Sequence, residues 1–446
     1  MKHETLKNPR HGCDLHGALQ TVEALYGAVP VVHANAGCVY QHYLAGQAEL
    51  SVCGGVCGPE VPATEVIEKQ IVFGGASRLR EQIKNTAKVI DGDLYVILGS
   101  CEAAMVADDI AAMTREAREV SIPAVFYFSA GFKGGAHWGY ANLMKEIFRQ
   151  LGEVKKLDLE RTPGLVNVLG VLPKTDPFYK GDLREIKRLL EAAGLCVNIF
   201  FGPEGTAELK RSVKAEQTLV FSRWGIPAAL QLEEQYGIPF MVFDSLPLGM
   251  ESVKSFYGSL ASRVHLDEEC LREFLSREEQ QYRYLLDSLR HAWYAESLRK
   301  TALLAGDAAC LLRLAPFLRE TLGIVINTAV ITDARAGGTG ETPPPFPGSL
   351  ADKVFQTADS AETDEIIAAS GTEMVLGGAL EAPAAARLGI PHMIICAPNS
   401  GQALLHKTYA GLTGTWFFLE DYAAAVLRNN AEREAGDIQF LRNLSH

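Results

Sequence analysis

Short apolar runs alternate with amphipathic stretches along most of the chain, and this alternation limits the possible folds more than any other feature. VPVVHA, LYVILG and AVFYF are typical of the runs, and GDLREIKRLLEAA (181–193) is typical of the stretches. Because the runs are apolar throughout, they predict strands buried on both faces, and such strands alternating with helices form parallel sheets. The predicted strands are 29–34, 94–99, 124–128, 165–172, 197–201, 240–243, 301–305, 324–331, 374–376 and 392–396.

The length of 446 residues is enough for roughly three domains of ordinary size. We therefore predict an α/β fold of three Rossmann-like units, with mostly parallel sheets and flanking helices. The expected boundaries are 1–160, 161–290 and 291–446, with the polar segment KKLDLERTPG as the first linker. The second unit is expected to end in a charged bridging helix, and the third contains the Gly- and Pro-rich segment 334–348.

Composition and charge exclude several classes of function. A formal net charge of −12 argues against a general nucleic-acid binder, which would need a basic face. The N-terminus has no apolar run of the kind found in signal peptides, and no stretch reaches the roughly 18 apolar residues of a membrane-spanning helix. We therefore expect a cytoplasmic protein without a membrane partner. The sequence also lacks the P-loop pattern of nucleotide hydrolases.

Three cysteines stand where parallel α/β sheets bind ligands. Cys38 and Cys101 each follow a predicted strand closely, and Cys13 precedes a helical pattern. Such positions suit thiolate ligation of an iron–sulfur centre, whereas a buried structural cysteine is the commoner explanation for any one of these thiols. Three thiols fall short of a four-ligand cage, so the set makes best sense if a partner chain completes it.

The residues around these cysteines resemble the N-terminal part of nitrogenase component 1 subunits. The resemblance rests on NPRHGCDLHGALQTV, VPVVHANAGC, IVFGG and LGSCEAAMVADDI, and it continues in pattern through KGDLREIKRLLEAAGLCVN, LEEQYGIPF and GTWFFLED. It implies that Cys13, Cys38 and Cys101 are half the ligands of a P-cluster-type iron–sulfur cluster at a subunit interface. The expected cluster is eight-iron, with a four-iron cluster as the alternative, and the partner would supply three more cysteines.

The same resemblance implies which proteins bind this chain and which of them carries the catalytic site. An α-type subunit would form an α2β2 heterotetramer with this chain, and an ATP-dependent iron–sulfur reductase homodimer would deliver electrons to the interface cluster. The catalytic metallocluster of the α-type subunit is held by a cysteine and a histidine. Here Ser222 stands at the cysteine position, and His406, the nearest C-terminal histidine, has a different context. The chain therefore resembles a β-type subunit without catalytic residues of its own.

The substrate is not evident from the sequence. The chain is shorter than expected of a true nitrogenase β-subunit, which favours a nitrogenase-like reductase that cleaves carbon–sulfur bonds, of the methylthio-alkane reductase type. The alternatives are a nitrogenase β-subunit acting on dinitrogen, a cofactor-assembly scaffold of the same superfamily and a metal-free α/β binding protein.

The remaining cysteines are expected to be structural. Cys53 and Cys57 form a C-x3-C pair in a Gly-rich loop that could ligate a metal or add a ligand to the same cluster, but a flexible loop is favoured because no second pair is spaced for zinc. Apolar surroundings predict that Cys196, Cys310 and Cys396 lie in the core, and Cys270 is expected to pack on a charged helix.

Polar residues near the three cysteines have two interpretations each. His11, His16 and His33 could tune a cluster through hydrogen bonds or could be structural. Asp108 and Asp109 are interpreted as acids in the first turn of a helix, where the helix dipole favours negative charge. Ser100 offers a hydroxyl to a cluster sulfur, which is a weaker signal.

Overall fold

The computed structural model describes residues 6–48, 61–295, 298–333 and 346–444. Its named strands form three sheets, and every pairing between neighbouring strands is parallel. The first sheet has the order β1 (Ala28–His33), β2 (Leu94–Gly99), β3 (Ala124–Phe128), and all six residues of β2 are buried. The predicted α/β fold with three parallel sheets and flanking helices is confirmed.

The other two sheets contain nine strands. The second sheet, in the order β5-β4-β6-β7, consists of β4 (Leu165–Leu169), β5 (Cys196–Asn198), β6 (Gln217–Val220) and β7 (Phe240–Val242). The third sheet, in the order β10-β9-β8-β11-β12, consists of β8 (Ala302–Gly306), β9 (Ile326–Ile331), β10 (Lys353–Gln356), β11 (Met374–Gly377) and β12 (His392–Ile394). Ten of the twelve strands were predicted from the sequence, and β6 and β10 were missed.

Helices connect the strands and cover both faces of the sheets. Those around the first sheet are α1 (Asp14–Ala24), α2 (Ala36–Ala48), α3 (Glu68–Phe73), α4 (Ala76–Val89), α5 (Cys101–Met105), α6 (Ile110–Glu119) and α7 (Ala136–Val154). The second group is α8 (Tyr179–Ala192), α9 (Thr206–Ser212), α10 (Ile226–Tyr236), α11 (Met250–Leu260) and α12 (Glu268–Ala295). The last is α13 (Ala308–Pro316), α14 (Ser360–Ser370), α15 (Ala382–Leu388) and α16 (Thr413–Leu444).

Three short helical turns complete the described elements, at Arg223–Gly225, Phe317–Thr321 and Ala379–Glu381. The charged helix predicted at the end of the second unit is α12. Among the described residues, no helix is long and apolar enough to cross a membrane.

Two glycines bring α1 and α7 into close contact. A Cβ atom at Gly17 would lie 1.9 Å from the carbonyl oxygen of Ala136, and one at Gly139 would lie 2.2 Å from that of Asp14. Real Cβ contacts are never that short, so the two helix backbones touch at these positions. This crossing holds the N-terminus of α1, and with it Cys13, beside the N-terminus of α7.

A buried charge cluster joins α8 to α13. Arg313 contacts the carboxylate of Asp182, and its Nη2 lies 3.9 Å from Oδ2 of Asp176. Asp182 also accepts a hydrogen bond from the backbone N–H of Tyr409, at 3.2 Å. Burial and the neighbouring Asp182 raise the pKa of Asp176 well above its usual range, although Arg313 acts in the opposite direction.

The raised pKa of Asp176 predicts that stability falls as the pH rises. A carboxyl group whose pKa is higher in the folded state than in the unfolded state contributes its full stabilisation below the unfolded-state pKa. This contribution is lost as the pH rises through the folded-state pKa. Each unit of pKa shift is worth about 1.4 kcal/mol.

Asparagine keeps the oxygen that accepts the 2.9 Å hydrogen bond from the N–H of Phe178. We expect Asp176→Asn to flatten the decline in unfolding free energy between acidic and alkaline pH, measured by denaturant titration. Parallel pH profiles for the variant and the wild type would contradict the assignment.

Candidate functional site

The three predicted cysteines lie at one end of the first sheet. Cys13 is the N-cap residue of α1, Cys38 lies in the first turn of α2 just beyond β1, and Cys101 begins α5 directly beyond β2. β1 and β2 are parallel neighbours whose last residues, His33 and Gly99, are paired, so their following loops emerge at the same edge. All three thiols are free and partly exposed.

Gly131, in the loop after β3, is the point where Cys13 and Cys101 meet. A Cβ atom at Gly131 would lie 3.2 Å from Sγ of Cys13 and 3.4 Å from Sγ of Cys101. The backbone N–H of Gly131 donates a hydrogen bond to Sγ of Cys101, at 3.1 Å. Both sulfurs therefore border the same small space, which exists because residue 131 has no side chain.

Asn35 and Glu102 tie the loop of Cys38 to the loop of Cys101. The side-chain oxygen of Asn35 accepts hydrogen bonds from the N–H groups of Gly37, at 2.8 Å, and Cys38, at 3.3 Å. The amide nitrogen of Asn35 donates to Glu102. Ser100 donates its hydroxyl hydrogen to the same carboxylate at 2.6 Å, so this hydroxyl is already engaged within the loop. Sequence reasoning missed Asn35 and Glu102, although Asn before a helix is a known capping signal.

The three cysteines influence one another electrostatically. Burial raises the pKa of Cys38 to about 11, and Glu102, Cys13 and Cys101 add to the increase. Burial also raises the pKa of Cys13, with a smaller contribution from Cys101. Without a cation, the raised pKa values of Cys13 and Cys38 favour the protonated form of these two thiols. A bound metal ion removes those protons, because its charge stabilises the thiolates.

The three flanking histidines have different roles. Nδ1 of His16 lies 3.1 Å from Sγ of Cys13, so this side chain contacts a candidate ligand. His11 instead packs edge-to-face against His137, with ring centroids 4.8 Å apart. His33, at the end of β1, is fully buried and bonds Thr64 and Asp108, each at 2.9 Å.

Asp108 is bound by tertiary contacts rather than by the start of a helix. Besides His33, its carboxylate accepts the backbone N–H of Gly75 at 2.8 Å. Only Asp109 is the helix-capping acid, accepting the N–H of Ala112 at 2.8 Å. The interpretation of both residues as first-turn acids is therefore wrong for Asp108. The close packing of Gly75 on His33 explains the last glycine of the VFGG segment, since a Cβ at Gly75 would lie 2.7 Å from the His33 ring.

The exposed edge around the cysteines is rimmed by large apolar side chains. We call Tyr40, Phe73, Met105 and Phe132 the apolar rim; they are 61%, 82%, 79% and 66% exposed. Tyr40 is two residues beyond Cys38, Met105 is four beyond Cys101, and Phe132 adjoins Gly131. Exposed apolar side chains grouped in this way are typical of a protein–protein interface.

The donor set fits an iron–sulfur cluster better than a single ion. Among the residues that the structure describes, no three His, Cys, Asp or Glu side chains are close enough to hold one metal ion. A cluster is larger than one ion, so its thiolates stand further apart. Two free thiols beside one glycine, an N–H donor aimed at one of their sulfurs, and a third thiol near enough to interact with both electrostatically match that chemistry.

The position of Ser222 differs from that of a cluster ligand. Its hydroxyl is buried and donates to the carbonyl oxygen of Gly170 at 2.6 Å. The cavity beside it, which Asp176, Asp307 and Arg313 also line, has a volume of about 30 Å³, enough for roughly one water molecule. His406 is exposed and packs edge-on against Phe417.

The other cysteines divide into two groups. Cys310 and Cys396 are buried, as predicted. The expectation of a core position is wrong for Cys196, which is exposed at the edge strand β5, and Cys270 is exposed on α12 rather than packed. Cys53, Cys57 and most of the Gly- and Pro-rich segment lie outside the described residues.

Gly131→Ala should disturb the thiols without removing any of them. The added methyl group would lie 3.0 Å from Cβ of Cys13 and 3.2 Å from its sulfur, so one of the groups must move. We expect a clear loss of bound iron and a destabilisation of about 1–3 kcal/mol. Iron analysis and thermal unfolding measure the two effects. The control is Gly152→Ala, whose Cβ would meet nothing closer than 3.8 Å; equal iron in both variants would contradict the prediction.

Sequence comparison relates this chain to a known protein family and its members. A family model described as nitrogenase component 1 type oxidoreductase matches residues 13–427. The beta chain of the nitrogenase molybdenum-iron protein of Bradyrhizobium diazoefficiens is 27% identical over 298 residues, which cover 60% of this chain and 55% of that protein. The B-type component of the light-independent protochlorophyllide reductase of Methylobacterium sp. (strain 4-46) is 26% identical over 443 residues, covering 94% of this chain and 83% of that protein.

A solved structure titled "Nitrogenase Cp1 at pH 6.5" has the same fold, with a TM-score of 0.79 at 19% sequence identity over 97% of this chain and 96% of that chain. The fold and these matches define an oxidoreductase subunit. The chain belongs to the nitrogenase component 1 family, as a nitrogenase-like β-type subunit.

Proposed function

We propose that this chain holds half of an iron–sulfur cluster of the P-cluster type at an interface with an α-type subunit. The observation that carries the proposal is the convergence of Cys13, Cys38 and Cys101 at one end of the first sheet, with Cys13 and Cys101 meeting at Gly131. Three thiols in one chain are half of a six-cysteine set, so the partner would supply the other half. An eight-iron cluster fits such a set, and a four-iron cluster is the alternative.

When bound, an iron–sulfur cluster accepts and donates electrons at a potential set by its ligands and surroundings. The residues of this chain would hold and orient it. Gly131 donates an N–H to the sulfur of Cys101, His16 contacts the sulfur of Cys13, and Asn35 fixes the N–H of Cys38. Hydrogen bonds to ligand sulfurs raise the reduction potential by stabilising negative charge.

The apolar rim supports the proposed partner. An α-type subunit covering it would bury the partly exposed cysteines and exclude water from the cluster. We propose an α2β2 heterotetramer in the cytoplasm, to which an ATP-dependent iron–sulfur reductase homodimer delivers electrons. The catalytic metallocluster would lie in the α-type partner, because the cavity beside Ser222 has room for about one water molecule.

For the reaction we propose reductive cleavage of a carbon–sulfur bond in a thioether, as in methylthio-alkane reductases. Two alternatives remain within the superfamily: a nitrogenase β-subunit acting on dinitrogen, and a scaffold for cofactor assembly. The scaffold is expected to hold its cluster without turning over any substrate, so turnover separates it from both reductases.

The test is anaerobic purification of the chain together with its α-type partner, followed by iron analysis and electron paramagnetic resonance. We expect a coloured complex whose iron content fits a cluster shared between the subunits, and release of a thiol from a thioether when reductase and ATP are added. A colourless complex with iron at background would overturn the cluster assignment. Iron without release of a thiol, or with reduction of dinitrogen, would overturn the proposed reaction alone.

A further inference from the structure

The segment of residues 7–14, which we call the N-terminal strap, is anchored at its beginning to the loop between β10 of the third sheet and α14. The backbone N–H groups of Lys7 and Asn8 donate to the carboxylate of Asp359, at 2.5 and 3.1 Å. The N–H of Arg10 donates to the carbonyl oxygen of Ala358, at 2.9 Å. Lys7 and Asn8 are 352 and 351 positions away from Asp359 in the sequence.

A buried ion pair fixes the middle of the strap. The guanidinium group of Arg10 contacts both carboxylate oxygens of Glu381, and the two side chains are each 1% exposed. Arg10 also donates to the carbonyl oxygen of Ala397, at 3.3 Å, and Glu381 accepts the N–H of Gly378, at 2.6 Å. Two parallel N–H···O contacts restrict direction as well as distance, so the pair holds Arg10 in one orientation.

The strap ends at the cluster cysteine. Cys13 forms a bridge with Gly135, and the N–H of Asp14 donates to the carbonyl oxygen of Gly134, at 2.9 Å. Arg10 is three residues before Cys13, which limits their separation to about 10 Å even in extended chain. A displacement of Arg10 should therefore displace Cys13 as well, because the chain between them is short.

We propose that the Arg10–Glu381 ion pair is a positioning element for Cys13, through which the third sheet sets the place of a thiol at the edge of the first sheet. The role of Cys13 as a ligand rests on the function proposed above, whereas the positioning itself concerns the chain alone. Cys38 and Cys101 follow β1 and β2, and within the described part of the chain no hydrogen bond or ion pair joins either residue to Asp359 or to the Arg10–Glu381 pair. The proposal therefore predicts a selective effect on one cysteine of the three.

The test measures alkylation rates of individual cysteines in the full-length, metal-free chain. The main variant is Arg10→Met with Glu381→Met, which removes both charges at similar volume, because a single substitution would leave an unpaired buried charge. Iodoacetamide labelling under anaerobic conditions is followed by peptide mass spectrometry for Cys13, Cys38 and Cys101, with the exposed Cys196 as a reference. The matched control is Arg80→Met with Glu116→Met, a bidentate pair at the surface of the first unit.

We expect alkylation of Cys13 to become about tenfold faster in the main variant, since release of the strap exposes this partly buried thiol to the reagent. The rates for Cys38 and Cys101 should stay near those of the wild type, as should all rates in the control. Arg10→Lys, which keeps the charge, should give an intermediate rate.

Two results would overturn the proposal: an unchanged rate for Cys13, or an equal rise for all three cysteines, which would mean general loosening or failure to fold. Iron analysis of the complex gives a separate result. A selective change at Cys13 in a chain that binds no iron would support the strap and contradict the cluster, so the two proposals fail independently.

Discussion

Replacing Cys38 by alanine is expected to remove about half or more of the iron from the complex with the α-type partner and to lower its reductase activity at least about 100-fold. Cys38 is partly exposed at the edge of the first sheet, and no other described cysteine side chain of this chain is placed to replace it. On the proposed function, its removal would leave one iron of the cluster without a protein ligand. Iron analysis, electron paramagnetic resonance and turnover with reductase and ATP measure the effect.

The control for this experiment is Cys196→Ala. Cys196 is exposed on β5 of the second sheet, so its loss changes the thiol count without touching the candidate site. Wild-type iron content and spectra in the Cys38→Ala variant would contradict the assignment of Cys38 as a cluster ligand. Cys101→Ala should reproduce the Cys38→Ala result, because the two residues lie on adjacent loops linked through Asn35 and Glu102.

Gly17→Ala is expected to destabilise the chain by about 3 kcal/mol or more, a larger effect than that of Gly131→Ala. The added methyl group would lie 1.9 Å from the carbonyl oxygen of Ala136 and 2.5 Å from its Cα atom. Both are backbone atoms of α7, so they can move away only if the two helices separate. Separation would also displace the N-terminus of α1, where Cys13 lies. Denaturant unfolding of the isolated chain measures the loss.

Gly258→Ala in α11 is the matched control. It is also a helical glycine, but its Cβ would meet no atom within 4 Å. Alanine should therefore stabilise α11 by up to about 1 kcal/mol, because glycine is the weaker helix former. A Gly17→Ala variant as stable as the Gly258→Ala variant would show that α1 and α7 do not touch as described.

Strand prediction from the sequence succeeded where burial leaves a strong pattern. β2 is apolar and buried along its whole length, and its bounds agree with the predicted run 94–99. β6 has only four residues and begins with the polar pair Gln217 and Thr218, so its pattern is too short to stand out. All four residues of the edge strand β10 are exposed, and exposed strands carry no apolar run. Backbone pairing with β9, rather than side-chain burial, makes β10 a strand.

The candidate site was predictable only in part. Strand ends indicated Cys38 and Cys101, because parallel strands deliver their following loops to a common edge. The local sequence does not show that Gly131 lies between two sulfurs, since that depends on β3 being the third neighbour in the sheet. Arg10 and Glu381 are 371 residues apart, and no local pattern relates them.

The strap also has a consequence for the order in which the protein matures during synthesis. Cys38 and Cys101 belong to a sheet whose strands all lie within the first 128 residues, and N-terminal units generally fold while the rest of the chain is still being made. The strap cannot close until Asp359 and Glu381 have left the ribosome. Cys13 is held early by the contact between α1 and α7, but it is the thiol whose last positioning contact, the strap, forms latest. On the proposed function, a nascent chain would hold Cys38 and Cys101 early and would complete the placement of Cys13 only when translation is nearly finished.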